Sequence, residues 1–257
     1  MINSVKAAYA VQVGNLHLTA KLPCQDSIFF FRGERACCLA LADGAGSVPG
    51  SELASSAVCK ALAKAAVSCF AEWSVMADDD LKQEILNLAA DSVDAAVPGR
   101  KPDCTLLLVA IADDGRALWC HIGDGGIFFV SDGECRLLSE PENGLESYIT
   151  FFLSGADAAR HLRVGRTVLS RDSAFLLCSD GVEPTLYDAE AGLCAPAVRI
   201  VAEWLRAEPE SAVSEALDSH LNSLFRQRSD DDMSLGVICY YPSDSFQAES
   251  TECPLDE

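Results

Sequence analysis

The chain has 257 residues, of which 49% are hydrophobic, and its 39 acidic residues against 19 basic ones give a formal charge of −20. That is enough apolar material for a large core. The charge argues against a nucleic acid or an anionic membrane as partner, because such surfaces need clustered Lys and Arg, and it suits divalent cations instead.

The N-terminal stretch MINSVKAAYAVQVGNLHLTAK is interrupted by Gln12, Asn15 and His17, so it lacks an apolar core of signal-peptide length and a cytoplasmic location is expected. No apolar run reaches the roughly 18 residues that a membrane-spanning helix needs. Among the twelve cysteines no CxxC pair occurs, Cys37 and Cys38 are adjacent, and Cys120, Cys178 and Cys239 sit inside apolar runs. Buried free thiols are therefore expected, rather than zinc ligands or disulfides.

In chain order, the β-rich runs SIFFF (27–31), ACCLALA (36–42), CTLLLVAIA (104–112), ALWCHIG (117–123), GIFFV (126–130), AFLLCS (174–179) and SLGVICYY (234–241) predict strands. Their near-continuous apolarity implies sheets covered on both faces. Tight turns at Asp114-Gly115 and Asp132-Gly133 make 104–138 read as a meander. Helical periodicity runs over 51–73, with a stripe of Leu53, Ala57, Leu62, Ala65, Cys69 and Trp73. It recurs over 80–97 with Leu81, Ile85, Ala89 and Val93, where Asp78, Asp79 and Asp80 lead in as an acidic cap. Two more helices are expected over 196–207 and 211–227, the latter with Val213, Leu217, Leu221 and Phe225 inward. Residues 139–171, with Pro141, Gly144, Gly155 and Gly165 around YITFFL, read as an irregular insert beside a site. Strands in groups and helices in pairs predict an α+β fold, a four-layer α/β/β/α sandwich of two stacked antiparallel sheets flanked by helix pairs. One domain over 1–241 and a disordered acidic tail over 242–257 are expected.

Acidic residues recur at the strand ends. Asp26 precedes the run at 27–31, Asp43 closes the one at 36–42, Asp124 follows the one at 117–123, Asp180 closes AFLLCS, and Asp231 and Asp232 introduce the last strand. Gly44, Gly125 and Gly181 follow three of them. If these ends share one rim, the carboxylates converge, and repelling acids beside a dry core are strongly destabilising without cations. The donors are hard oxygens, and His17 and His121 are not spaced for zinc, so Mg²⁺ or Mn²⁺ is favoured over zinc or copper. A glycine after the aspartate lets the backbone approach an ion closely enough for a carbonyl to ligate it.

The segments GNLHLTAKLPCQDS, LADGAGS, DCTLLL, HIGDGG, LLCSDGV and SDDDMSLGV, in this order over residues 14–239, resemble the metal-dependent Ser/Thr protein phosphatases of type 2C, the PPM family, in its short bacterial branch. The resemblance implies hydrolysis of phosphoserine or phosphothreonine by a metal-activated water at a centre of two Mn²⁺ or Mg²⁺ ions. Asp43, Asp180 and Asp231 would be the catalytic core: Asp43 bridges both ions, the Gly44 carbonyl binds one, and Asp180 and Asp231 complete the other shell. Asp26 would act through water, and Asp124 matches an aspartate of a third, weaker ion. Asp231 is preferred to Asp232 because it matches the first position of the family motif Asp-Asn-x-Ser/Thr, here DDMS. The implied partner is a phosphorylated protein, the target of a cognate Ser/Thr kinase. Two metals can activate water and neutralise phosphoryl oxygens without a protein nucleophile. No GxSxG element or P-loop occurs, and Cys24 lacks the cationic setting of a thiolate and reads as packing.

Three positions depart from the family pattern. Lys21 stands where a phosphate-binding Arg is usual, keeping the charge but losing bidentate geometry. Gln25 replaces the acid before Asp26. Ala45 replaces a His that serves longer relatives as candidate general acid, which leaves His17 and His121 as candidate proton donors, although each also reads as a satisfied core histidine. These departures motivate one alternative, a catalytically weak member that binds a phosphoprotein as a regulatory module; a third reading, a metal-sensing stress-response factor, predicts tight metal binding without hydrolysis.

Overall fold

Successive side chains along a strand point to opposite faces of its sheet, and here both directions lead into apolar core. The computed structural model describes residues 4–46, 48–142 and 150–241. Its elements are β1 (Val5–Gln12), α1 (Asn15–Ala20), β2 (Ser27–Arg32), β3 (Ala36–Ala42), α2 (Ser51–Ser68), α3 (Phe70–Trp73), α4 (Asp78–Ala96), β4 (Leu106–Ala112), β5 (Arg116–Ile122), β6 (Gly126–Ser131), β7 (Glu134–Ser139) and α5 (Ala158–His161). Then come β8 (Arg163–Val168), β9 (Ala174–Cys178), α6 (Glu183–Leu186), the short pair β10 (Tyr187–Asp188) and β11 (Leu193–Cys194), α7 (Pro196–Ala207), α8 (Glu210–Ser223), a 3₁₀ turn at Phe225–Gln227, and β12 (Met233–Tyr240).

Two five-stranded antiparallel sheets result, one in the order β1-β12-β9-β6-β7 and the other β2-β3-β4-β5-β8. On β3, Cys37, Leu39 and Leu41 meet Phe175, Leu177 and Ile238 of the other sheet. The alternate residues Cys38 and Ala40 share a second core with Val58 and Leu62 of α2 and Leu81 and Ile85 of α4. On β9, Leu176 and Cys178 share a third with Val198 and Leu205 of α7 and Leu217 and Leu221 of α8. The fold is thus the α+β four-layer sandwich, and the double-sided burial accounts for strands without polar alternation.

All seven expected strands are present within two residues of the expected ends, and the four helical segments are helical, with 51–73 divided at Cys69 and 211–227 ending in the 3₁₀ turn. The inward stripe of α2 differs from the expected one. Ala54, Val58, Leu62 and Ala66 are fully buried, whereas Leu53 is 50% exposed. Apolar residues at every fourth position from Ala54 form the face that packs on β3, and Leu53, one position before that row, is left on the solvent side.

The meander over 104–138 is corrected. β5 pairs with β4 and β8, whereas β6 pairs with β9 and β7, so the chain crosses from one sheet to the other at 123–125. Gly123 makes the crossing with φ +118°, a conformation that side chains resist. β1, α1 and β8 were not expected, and β8 lies inside the segment read as irregular. All three are partly exposed: β8 contains no buried residue and α1 none either. The tail over 242–257 lies outside the described residues. Within them the cysteines are free thiols, and no helix is long and apolar enough to cross a membrane.

Candidate metal centre

Strand register brings the acids together in pairs. Ser27 of β2 pairs with Ala42 of β3, so one step beyond the ladder Asp26 faces Asp43. Gly126 of β6 pairs with Cys178 of β9, so two steps beyond it Asp124 faces Asp180. One pair belongs to each sheet, and stacking the sheets joins them. Single carboxylate oxygens of Asp43, Asp124 and Asp180 lie within 4.8 Å of one another, and Asp26 abuts Asp43.

The surrounding bonds hold the backbone and leave carboxylate oxygens free. Thr105 Oγ1 accepts the Asp43 N–H at 2.9 Å, and Thr105 N–H donates to the Asp43 carbonyl at 2.8 Å. Gly181 N–H donates to Asp180 Oδ1 at 2.8 Å, and the Thr150 hydroxyl donates to Asp124 Oδ2. Both oxygens of Asp26 and Oδ1 of Asp124 are buried with no hydrogen-bond partner.

Burial therefore dominates the electrostatics. It pushes Asp26 up to about 6, although the Ser179 and Ser234 hydroxyls and Asp43 stand close enough to oppose the shift without meeting hydrogen-bond geometry. Asp180 is pushed up to about 8 by burial and then by Asp124, Asp231 and Asp26. Asp43 is raised well above the carboxylate range by burial, Asp26 and Asp180, and Asp124 is raised by burial, with Asp231 adding to it. Four acids whose ionised form is disfavoured, with orphaned oxygens between them, form a donor set that fits hard divalent cations.

Other expected site residues fall around this cluster. Asp231 is exposed, outside the tight group but close enough to repel Asp124 and Asp180, and its Oδ1 accepts the Asp232 N–H at 2.8 Å. Asp232 is 2% exposed and its oxygens are taken by Gly14 N–H at 2.7 Å, Gln25 N–H at 2.6 Å and His17 Nδ1 at 2.8 Å. Gly44 bridges to Cys104, and a Cβ there would lie 2.7 Å from the Ser51 carbonyl, so the seating of α2 requires the glycine whatever its carbonyl binds. Lys21 caps α1 in a left-handed conformation, exposed to solvent, and nothing ties it to the carboxylates.

His121 is a core histidine: fully buried, bonded through Nδ1 to Ser139 Oγ at 2.8 Å, and lowered to about 3 by burial and by Arg163. Burial, Asp26 and Asp232 all push the Cys24 thiol up, so it is no nucleophile. A cavity of about 340 Å³ bounded in part by Val93, Arg100, Lys101 and Leu153 contains none of the clustered acids.

The hydroxyls of Thr105, Thr150, Ser179 and Ser234 were not singled out from sequence. For three of them a signal existed: DCT, CSD and DMS each put a small hydroxyl within two residues of an acid at the edge of an apolar run. Thr150 carries no such mark.

Two stacked antiparallel sheets with buried and half-buried carboxylates gathered at one rim define the class, a four-layer sandwich of the metal-dependent phosphatase type. Residues 13–222 match the sequence profile of the family described as Protein phosphatase 2C, and the chain belongs to that family and is thereby a metal-dependent protein-serine/threonine phosphatase. Among solved structures it is similar to the catalytic domain of the serine/threonine phosphatase PstP in complex with two manganese ions, at 21% identity over 92% of this chain and 98% of that one, TM-score 0.63. It is similar to RsbX in complex with magnesium, at 17% identity over 93% and 96%, TM-score 0.57. It is also similar to the S. agalactiae serine/threonine phosphatase, at 18% identity over 92% and 99%, TM-score 0.61. No curated protein sequence matches the chain.

Proposed function

We propose that the chain removes phosphate from phosphoserine and phosphothreonine on proteins, using Mn²⁺ or Mg²⁺ held at the strand-end rim, and so opposes a cognate Ser/Thr kinase. The observation that carries this reading is the meeting of Asp43, Asp124 and Asp180 within 4.8 Å beside the unpartnered oxygens of Asp26. The manganese and magnesium complexes of PstP and RsbX support the choice of metals.

Asp43, Asp180 and Asp231 are assigned as the ligands at the centre of the reaction, with the Gly44 carbonyl, Asp26 and Asp124 completing the set. Asp231 is chosen over Asp232 because protein donors already occupy both oxygens of Asp232. Bound divalent ions supply the positive charge that offsets phosphoryl oxygens and makes water acidic enough to attack phosphorus. The chain's own part is positional. Thr105 fixes the Asp43 backbone from both sides, Gly181 and Thr150 orient Asp180 and Asp124, and burial keeps competing water away from Asp26. Lys21, solvent-exposed on the segment that leads to Asp26, is assigned to attract the incoming phosphate.

With Mn²⁺, the chain should hydrolyse p-nitrophenyl phosphate and a phosphothreonine peptide, and Asp43→Asn should abolish both activities. Turnover that survives Asp43→Asn overturns the assignment. Mn²⁺ binding without turnover of either substrate would replace the enzyme by a phosphoprotein-binding module.

A further inference from the structure

Asp232 is the buried acid that the metal set does not use, and the chain satisfies it from three directions. Its Oδ1 accepts from Gly14 N–H at 2.7 Å, and its Oδ2 accepts from Gln25 N–H at 2.6 Å and lies 2.8 Å from His17 Nδ1. With both oxygens accepting, the hydrogen of the His17 contact sits on Nδ1. His17 reaches this point from α1, a six-residue helix that buries no side chain. Such a helix adds little to the core. What it does contribute is Gly14 at its entry and His17 in its first turn, and a further bond, Leu16 N–H to the Asp230 carbonyl at 3.0 Å, ties it to the same corner.

These contacts join segments that are distant in sequence and that each carry an expected ligand. Gln25 precedes Asp26 and Asp232 follows Asp231. The Gln25 carbonyl in turn accepts Gly44 N–H at 3.1 Å and Ser55 Oγ at 2.6 Å, which extends the network to the residue after Asp43 and to the first turns of α2. Asp231 is thus next to Asp232, Asp26 next to Gln25, which is bonded to Asp232, and Asp43 next to Gly44, which reaches Asp232 through Gln25. Asp232 also repels Asp26 across this corner, and the imidazole holds its carboxylate turned toward α1.

We infer that His17 is a positioning residue: through Asp232 it sets the spacing of Asp26 and Asp231, and thereby the affinity of the rim for divalent cations. The inference rests on the reading of the rim as a metal site. Partners that orient metal ligands from behind change affinity by about 10–100-fold when removed, whereas a side chain that only closes the surface changes stability and leaves affinity alone.

Calorimetric titration of the full chain with Mn²⁺ separates these outcomes. Wild type should bind, His17→Ala should bind about 10–100-fold more weakly at a temperature where its metal-free form is still folded, and His17→Asn, whose amide nitrogen can take the place of Nδ1, should recover most of the affinity. Should His17→Ala not fold, His17→Phe keeps the ring without the donor and carries the same expectation. Wild-type binding with unchanged affinity in the variant overturns the role of His17 alone, as does failure of His17→Asn to recover affinity. Absence of Mn²⁺ binding to the wild type overturns the metal reading and the inference with it.

Discussion

Asp26 and Asp232 are both buried, at 7% and 2% exposure, and one residue of chain, Gln25, touches the surroundings of each. The open rim around Asp26 and the closed corner around Asp232 nevertheless treat a carboxylate in opposite ways. At the corner, two backbone N–H groups and an imidazole meet the charge. At the rim, both oxygens of Asp26 have no partner, and the nearest charged neighbours are other acids. A buried acid completed by its own chain acts as a fastening, while one left incomplete among its like stays costly until an external cation completes it.

The contrast is tested most severely by removing one acid from each region in the metal-free protein. Asp232→Ala leaves two buried backbone N–H groups and the half-buried His17 imidazole without an acceptor and should lower the unfolding free energy by about 3–5 kcal/mol in urea. Asp43→Asn relieves repulsion at the rim and should raise metal-free stability while abolishing turnover. Destabilisation by both substitutions would erase the distinction.

A smaller effect lies in the pH dependence. Asp180 is raised from 3.8 to about 8 and Asp26 to about 6, so above pH 4 the folded chain retains protons that the unfolded chain has released, and stability falls as pH rises toward those folded values. His121, lowered from 6.5 to about 3, acts in the opposite sense and weakens the fold as pH drops below 6.5. Between about pH 6.5 and 8.5 the Asp180 contribution is therefore separated from that of His121. Over that window the urea midpoint of the metal-free chain should fall, and saturating Mn²⁺ should remove or reverse the trend. A midpoint that rises with pH in the absence of metal would contradict the rim's burial.

Thr105→Val sharpens the comparison at the smallest scale. It removes the acceptor of the Asp43 N–H without touching a carboxylate, so it should cost about 1–2 kcal/mol of stability and weaken Mn²⁺ binding in calorimetry, with no change in how stability varies with pH.

Much of this arrangement was legible in the sequence because the strands are buried on both faces. Short runs such as ACCLALA, bounded by turn residues, read as strands between two cores, and once their ends are fixed register sets Asp26 against Asp43 and Asp124 against Asp180, while the joining of the two pairs comes from the stacking of the sheets. Elements with a solvent face were harder. VKAAYAVQ and RVGRTV are edge strands of their sheets, where partial exposure lets polar residues break the pattern, and NLHLTA makes a helix without an inward stripe. The separate duties of Asp231 and Asp232 were hidden for another reason. They are neighbours of one residue type, and only the convergence of Gly14, His17 and Gln25 from far upstream tells them apart.

The cysteines have a use beyond filling space. Cys37 lies between the sheets, Cys38, Cys104 and Cys120 face Cys59 of α2 and the core it shares with α4, and Cys178 and Cys239 lie under α7 and α8. Each of the three cores between the layers thus contains buried sulfur atoms that a thiol reagent reaches only when those layers part. Timed alkylation followed by peptide mass mapping would report the sequence in which the layers separate, with no foreign label introduced into the chain.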